Sequence, residues 1–151
     1  NVDVCNVIPA QKAGHIAEAA GLTVGHWAPV NPDDMSSKMD ENIHVLGDAS
    51  AQGDMPKSGF SANSQAKVAA NAIRGALTDA RVFPARFSNT CWSLIATDDG
   101  VKVGASYEPT EEKIASTSSF ISDTGEDAAL RKATFEESLG WYAGITADMF
   151  G

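Results

Sequence analysis

The chain has 151 residues, 43% of them apolar, which is enough to bury a normal core and form one domain, or one domain with part of a second. Its 20 acidic residues against 11 Lys and Arg give a net charge of -9. This charge argues against nucleic acid and anionic membranes as partners, because both would repel the chain, and it favours a cationic partner. No apolar run approaches the roughly 20 residues that span a bilayer, so we expect no membrane insertion.

The start of the chain and its cysteines carry further information. The sequence begins at Asn1 without an initiator methionine and runs directly into a strand-like segment, residues 2–8, which indicates a cut through a longer protein. The two cysteines, Cys5 and Cys91, are too few and too far apart for a disulfide-framed mini-domain, and no spacing of His and Cys suits a metal. We therefore expect no metal site, and a buried, inert Cys5 that does not pair with Cys91.

The first half of the chain is predicted to contain two helices and a buried strand. Residues 11–20 favour a short helix that ends at Gly21, a residue suited to the left-handed position after a helix. Residues 43–46 are a short apolar run followed by Gly-Asp-Ala, the pattern of a buried parallel strand that opens on a ligand crevice. Residues 61–77 place small side chains at helical spacing, which predicts a helix packed closely against a sheet.

The second half is predicted to form a small antiparallel sheet. Residues 87–97 are interpreted as a strand, although their periodicity is inconclusive. Residues 101–107 alternate apolar and polar side chains directly after a two-residue hairpin signal at residues 99–100. Residues 113–118 add a possible third strand, and residues 116–125 have the composition of a polar loop.

The chain is predicted to end in a long amphipathic helix over residues 126–150. Nine side chains share one broad face of this helix: Leu130, Thr134, Phe135, Ser138, Leu139, Trp141, Tyr142, Ile145 and Met149. A stripe of this width has to be covered by another part of the protein.

The predicted strand at residues 43–46 leads to a possible ligand site. Asp48 would place a carboxylate where it can accept hydrogen bonds from ribityl hydroxyls, and Gly47 would let a ligand approach the backbone. By themselves these two residues fit a plain turn equally well. Residues 41–50, ENIHVLGDAS, resemble the second FAD-binding motif of flavoproteins with two dinucleotide-binding domains. The resemblance implies that Asp48 binds the ribityl chain and that the region of Ala49 binds the pyrophosphate.

The next motif is MPKSGFSANSQ, at residues 55–65. It resembles the matching segment of sulphide:quinone reductases and, more closely, of flavocytochrome c sulphide dehydrogenases. The resemblance implies that Lys57, Ser58, Gly59 and Phe60 contact the flavin ring. Exposed amides at a helix start and a lysine charge would stabilise an electron-rich reduced flavin. The alternative is an ordinary capped helix with a solvated lysine.

Two further segments resemble the same flavoprotein. Residues 88–95, SNTCWSLI, are similar to the segment with one of the family's two redox-active cysteines, which implies that Cys91 is catalytic and that its partner cysteine lies upstream. Without the resemblance, Cys91 fits a buried small hydrophobe. Residues 140–151 resemble the family's C-terminus, which implies that Trp141 approaches the flavin and the heme-subunit side; the alternative is a core aromatic.

Together these segments are similar to the flavoprotein subunit of flavocytochrome c sulphide dehydrogenase, or to the related flavoprotein of sulfur oxidation. The resemblance implies an α/β plus α+β fold. Residues 1–80 would be the C-terminal part of a Rossmann-like FAD-binding domain, and residues 81–151 a C-terminal domain with a small antiparallel sheet and a long final helix. The chain departs from the family in lacking a Gly-x-Gly-x-x-Gly loop and the upstream cysteine that attaches FAD. We therefore expect this chain alone to hold flavin poorly and to be inactive.

In the intact enzyme, the resemblance implies that sulphide attacks a cysteine disulfide that includes Cys91. The resulting persulfide and thiolate pass two electrons to FAD, which passes them to heme c on a cytochrome subunit in the periplasm. The alternative function is a non-catalytic interaction domain that binds a cytochrome or scaffold partner, and self-association would cover surface left exposed. A quinone-reducing relative at the membrane fits less well, because the chain lacks an amphipathic, basic C-terminal stretch.

Overall fold

The computed structural model describes residues 2–151. In chain order the elements within this range are α1 (His15–Ala19), β1 (Ala28–Pro29), a 3-10 turn (Gly47–Ala49), β2 (Ser50–Ala51), α2 (Gly59–Thr78), β3 (Phe87–Ala96), β4 (Asp99–Pro109), β5 (Ile114–Ile121) and α3 (Ala128–Phe150). No helix within residues 2–151 is both long and apolar enough to cross a membrane.

The first twenty residues differ from the prediction. Residues 2–8 are exposed and form no strand, so Cys5 is exposed and not buried. A strand is stable only when a neighbour satisfies its backbone hydrogen bonds, and no strand in the described part of the chain pairs with this segment. α1 occupies only half of the predicted residues 11–20, because the backbone of Gly14 is extended and the helix begins after it.

The predicted buried strand at residues 43–46 is also absent. Only His44 forms a bridge, to Ser36, and Ile43 and Leu46 are each 37% exposed. The apolar run suggested a strand buried between two neighbouring strands. Among residues 2–151 the structure provides no such neighbours for residues 43–46, only this single bridge. The short parallel pair in this region is instead β1 with β2, where Ala28 lies opposite Ser50.

The helix predicted at residues 61–77 is confirmed as α2 and begins two residues earlier. Ser58 caps it, since its side chain accepts a hydrogen bond from the Ser61 amide. The helix ends at Asp79, which has a left-handed backbone with φ of 54°. Its buried residues, Ser61, Gln65 and Ala69, are four apart and therefore lie on one face.

The predicted three-stranded antiparallel sheet is confirmed, in the order β3-β4-β5. The hairpin turn lies two residues before its predicted position, at residues 97–98, where Asp98 has φ of 59°. The predicted turn residues 99–100 belong to β4. β5 extends to Ile121, so residues 116–121 are strand and not loop. Their Ser and Thr side chains are exposed, as suits an edge strand. A polar composition of this kind does not distinguish an edge strand from a loop.

The hydrophobic core lies between α2, one face of the sheet and the loops before α2. Its buried members are Val30, Met35, Met55, Ala69, Phe87, Ala105, Tyr107 and Ile114. Residues from both sides of position 80 therefore share one core, and the division into domains at that position stays a prediction.

The long final helix is confirmed as α3, which packs against the opposite face of the sheet. Thr134 is 1% exposed, and Gly100 lies so close to Phe135 that a β carbon there would be 2.9 Å from the Phe135 nitrogen. Arg131 forms an ion pair with Asp99, which ties the start of α3 to the hairpin. The predicted apolar face is only partly covered, since α3 is roughly 35 Å long and a three-stranded sheet is narrower. Its exposed members are Leu130, Leu139, Tyr142 and Met149.

Candidate functional site

The N-terminus of α2 is the point at which the predicted site residues meet. Ser58 caps the helix, and its hydroxyl also donates to the Asn89 side-chain oxygen on β3 at 2.5 Å. One turn along α2, the Ser61 hydroxyl donates to the same oxygen at 3.1 Å. The start of α2 is therefore fixed against the strand that carries Cys91.

The first turn of α2 is open to a ligand. Gly59 is exposed, and a β carbon at this position would have no atom within 4 Å. No acidic side chain lies in the first turn. The backbone amides at a helix start carry a partial positive charge and have no partner within the helix. This end of α2 can therefore receive an anion or the electron-rich edge of a ring.

Lys57 connects the start of α2 to the turn before β2. Its ammonium donates to the backbone oxygens of Asp48 at 2.7 Å and Ser50 at 2.8 Å, and it lies 3.8 Å from the centre of the Trp27 ring. Partial burial lowers the pKa of Lys57, and the nearby Asp48 charge opposes this shift. Lys57 is therefore not the freely solvated lysine of the alternative interpretation, and its charge is held beside the helix start.

The turn at Gly47–Ala49 is held by α2. The Gly47 amide donates to the side-chain oxygen of Gln65 at 2.7 Å, and Gly47 has φ of 67°, a conformation that favours glycine. Gln65 is fully buried and also donates to the side-chain oxygen of Gln52 at 2.9 Å. Gly47 is thus required by the turn itself, while Asp48 presents its carboxylate at the exposed surface. Ala49 is half-buried.

Cys91 is an exposed, free thiol on β3. Its exposure rules out the buried small hydrophobe that was the alternative for this residue. The Asn89 side-chain nitrogen donates to the Cys91 sulfur at 3.4 Å, since residues two apart on a strand face the same side. Tyr107 on β4 is buried, and burial, together with the charges of Cys91 and Asp54, raises its pKa.

Trp141 belongs to a cluster of three aromatic rings at the edge of the sheet. It is nearly parallel to Phe60 of α2, with ring centres 5.4 Å apart, and its ring centre is 5.6 Å from that of Trp92 on β3. The packing role that was the alternative for Trp141 is therefore present. The Trp92 indole nitrogen is buried and has no hydrogen-bond partner among residues 2–151.

The structure thus brings four separately predicted segments together. Lys57 joins the turn at Gly47–Ala49 to the start of α2, Ser58 and Asn89 join that start to Cys91, and Phe60 joins it to Trp141. The sequence analysis missed the connecting residues. Asn89 could have been found from its position two residues before Cys91 on the predicted strand.

The sequence analysis also missed Gln65, for which the sequence offers weaker evidence than for Asn89. It is a polar residue within the small-residue stripe of a helix predicted to pack closely, and such a residue needs buried partners. Its partners, 18 and 13 residues earlier in the chain, are not identifiable from local spacing.

A comparison with protein-family models matches residues 83–150 of this chain to a known family. The matching family is described as "Flavocytochrome c sulphide dehydrogenase, flavin-binding". The matched range contains the whole antiparallel sheet, α3, Cys91 and Trp141, whereas α2 and the turn at Gly47–Ala49 precede it. The resemblance inferred from the sequence motifs is therefore confirmed over this range.

Proposed function

Because residues 83–150 match the flavocytochrome c sulphide dehydrogenase flavin-binding family, we propose that the chain is the C-terminal part of an FAD-dependent oxidoreductase that oxidises sulphide. The observation that carries this proposal is the convergence of an open helix start, an exposed cysteine and a tryptophan. They are linked by the Ser58–Asn89–Cys91 hydrogen bonds and by the stacking of Phe60 on Trp141.

The residues around the α2 start fit a flavin. Gly59 leaves open space over the first-turn amides, and the absence of acidic side chains there keeps this end of the helix positive. Lys57 adds a held positive charge, and Asp48 offers an exposed carboxylate for hydroxyl groups. In this proposal residues 57–60 contact the flavin ring, Asp48 the ribityl chain and the Ala49 region the pyrophosphate. Residues 1–80 are then the end of a Rossmann-like FAD-binding domain.

Cys91 is proposed as one of two redox cysteines, with its partner outside this chain. Hydrosulphide would attack their disulfide, forming a sulfur–sulfur bond to one cysteine and releasing the other as a thiolate. This exchange breaks one such bond and makes another, so it consumes no oxidant. Exposure of Cys91 allows a small anion to reach its sulfur.

Bound FAD would supply the two-electron acceptor, and heme c on a cytochrome subunit would supply the one-electron acceptors. The family's name includes flavocytochrome c, which supports a cytochrome partner. A net charge of -9 favours docking to a basic cytochrome. A periplasmic location is part of the same proposal and rests on the resemblance alone.

The test uses the product of the complete gene, so that any segments outside these 151 residues are present. Flavin absorbance is recorded anaerobically before and after sulphide is added to the unmodified protein, to Cys91→Ser and to Cys5→Ser as the matched control. We expect sulphide to bleach the flavin in the unmodified protein and in Cys5→Ser, and to leave it oxidised in Cys91→Ser. Bound flavin that stays oxidised in all three would reject sulphide oxidation.

A second candidate function is a non-catalytic interaction domain. An apolar cleft of about 550 Å³ supports it, since Ile16, Leu22, Ile43 and Leu46 line this cleft and three of them are exposed. A self-associating chain or a cytochrome partner would cover this surface. Light scattering of the chain across a concentration series distinguishes self-association from the monomer, and the bleaching assay separates the interaction domain from the enzyme.

A further inference from the structure

The Asn89 side chain is held in one orientation by two serines of α2. Asn89 is 4% exposed, and its amide oxygen accepts from the hydroxyls of Ser58 and Ser61. The Ser58 oxygen accepts the Ser61 backbone amide, and its hydroxyl lies 2.5 Å from the Asn89 oxygen and 3.2 Å from the Ser61 oxygen, so the Asn89 oxygen is the nearer acceptor. With two hydroxyl donors at its oxygen end, the amide presents its nitrogen at the other end.

The other end of this amide points at the Cys91 sulfur. The Asn89 nitrogen lies 3.4 Å from that sulfur and donates to it. A hydrogen bond to a charged acceptor is stronger than one to its neutral form, so a fixed N–H donor favours the thiolate over the thiol. If the amide were reversed, its oxygen would accept the thiol proton and favour the neutral form. The orientation set by the serines therefore determines which form is favoured.

We propose that Asn89 is a positioning residue that donates a hydrogen bond to the Cys91 sulfur and thereby speeds its reactions, through an amide oriented by Ser58 and Ser61. Its importance for sulphide chemistry rests on the proposed function, whereas its effect on the thiol is a property of this chain. A thiolate is both the nucleophile and the leaving group in disulfide exchange, so the same donor would assist formation and release of a Cys91 disulfide.

The other ionisable groups near Cys91 do not replace the Asn89 donor. Tyr107 on β4 stays protonated to higher pH than usual, because burial and the charges of Cys91 and Asp54 raise its pKa. Lys102 borders the shallow cleft beside Cys91, but its ammonium forms an ion pair with Glu137 of α3. Lys57, which precedes α2, donates from its ammonium to the backbone oxygens of Asp48 and Ser50.

The experiment measures the rate at which iodoacetamide alkylates each cysteine of the 151-residue chain between about pH 5 and 10, using peptide-resolved mass spectrometry. Cys5 is exposed and precedes the network by more than fifty residues, so it is an internal reference in every sample. We compare the unmodified chain with Asn89→Ala and with Ser93→Ala. Ser93 is exposed two residues after Cys91, as Asn89 lies two before it, which makes it the matched control.

In Asn89→Ala we expect the midpoint of the Cys91 alkylation profile to rise by about 0.5 to 1 pH unit, which lowers its rate near neutral pH about 3- to 10-fold. The limiting rate at high pH depends on access and not on the donor, so it should not fall. Ser93→Ala and the Cys5 profiles should be unchanged. A Cys91 midpoint that is unchanged or lower in Asn89→Ala overturns the proposal.

A second variant covers the case in which Asn89→Ala does not fold. Ser61→Ala removes one orienting hydroxyl and keeps the Ser58 cap, so it should raise the Cys91 midpoint by a smaller amount. If the midpoint of the Cys91 alkylation profile does not rise in Ser61→Ala, the proposal is rejected. The assay needs neither FAD nor sulphide, so an absent shift with normal flavin bleaching rejects only the role of Asn89. A clear shift without bleaching rejects only the proposed function.

Discussion

Replacement of Gln65 by leucine tests whether the turn at Gly47–Ala49 is held by α2. Gln65 is fully buried, accepts from the Gly47 amide at 2.7 Å and donates to the Gln52 side-chain oxygen at 2.9 Å. Leucine fills a similar volume but leaves the buried Gly47 amide unpaired, at a cost of about 1–3 kcal/mol, and removes a second bond of about 1 kcal/mol. Partial compensation by the added apolar group leaves an expected loss of about 2–3 kcal/mol in the free energy of unfolding.

The loss is measured by urea unfolding followed by tryptophan fluorescence and far-UV circular dichroism. An unchanged dependence of the unfolding free energy on urea would show that the native state keeps its compactness. Asn63→Leu also replaces a side-chain amide by leucine on the same helix, at a position where the amide has no hydrogen-bond partner among residues 2–151. It should alter stability by less than about 0.5 kcal/mol. A loss below about 1 kcal/mol in Gln65→Leu would refute the reasoning.

Three further substitutions test other parts of the fold. Gly53→Ala should cost about 2–5 kcal/mol in urea unfolding, because Gly53 has φ of 65° and a β carbon would lie 2.4 Å from the Ile114 oxygen; an effect below about 1 kcal/mol would contradict this geometry. Tyr107→Phe should reduce the loss of stability above about pH 10. The raised pKa keeps Tyr107 protonated in the native state at a pH where it ionises in the unfolded chain. Its contribution to stability is therefore complete below about pH 10 and is lost as the pH rises. Equal pH dependence of the unfolding free energy in both proteins would refute this. Trp141→Ala should cost about 1–3 kcal/mol by removing the ring stacked on Phe60, and an unchanged urea midpoint would contradict it.

The elements predicted well are those whose signals are local. α2 follows from helical spacing, and the β3–β4 hairpin from alternation beside a turn signal. α3 follows from a long amphipathic pattern, and it occurs where expected. In each case the residues that determine the element lie within it, so one window of sequence contains the information.

The elements predicted wrongly depend on distant partners. Residues 2–8 and 43–46 have the composition of strands, but a strand requires neighbours that composition does not supply. Residues 116–121 show the reverse. They have the composition of a loop, and their pairing with β4 makes them a strand. The same limit applies to the site, since the motifs identified Cys91 and Ser58 separately. The spacing on β3 could have pointed to Asn89 beside Cys91, but its contact with Ser58, 31 residues earlier, is visible only in the structure.

Polar contacts between α2 and β3 connect the part of the chain matched by the family to the part before it. Ser58, Ser61 and Ser64 are three residues apart on α2, and each bonds to β3: the first two to the Asn89 side chain and the third to the Ser88 amide. A partly buried polar network is stable only while its members remain paired, because an unpaired group keeps the cost of its desolvation. The matched range contains Cys91, but the groups that orient the amide beside it lie outside that range. A fragment reduced to the matched range would therefore retain the thiol and lose the hydroxyls that fix its hydrogen-bond donor.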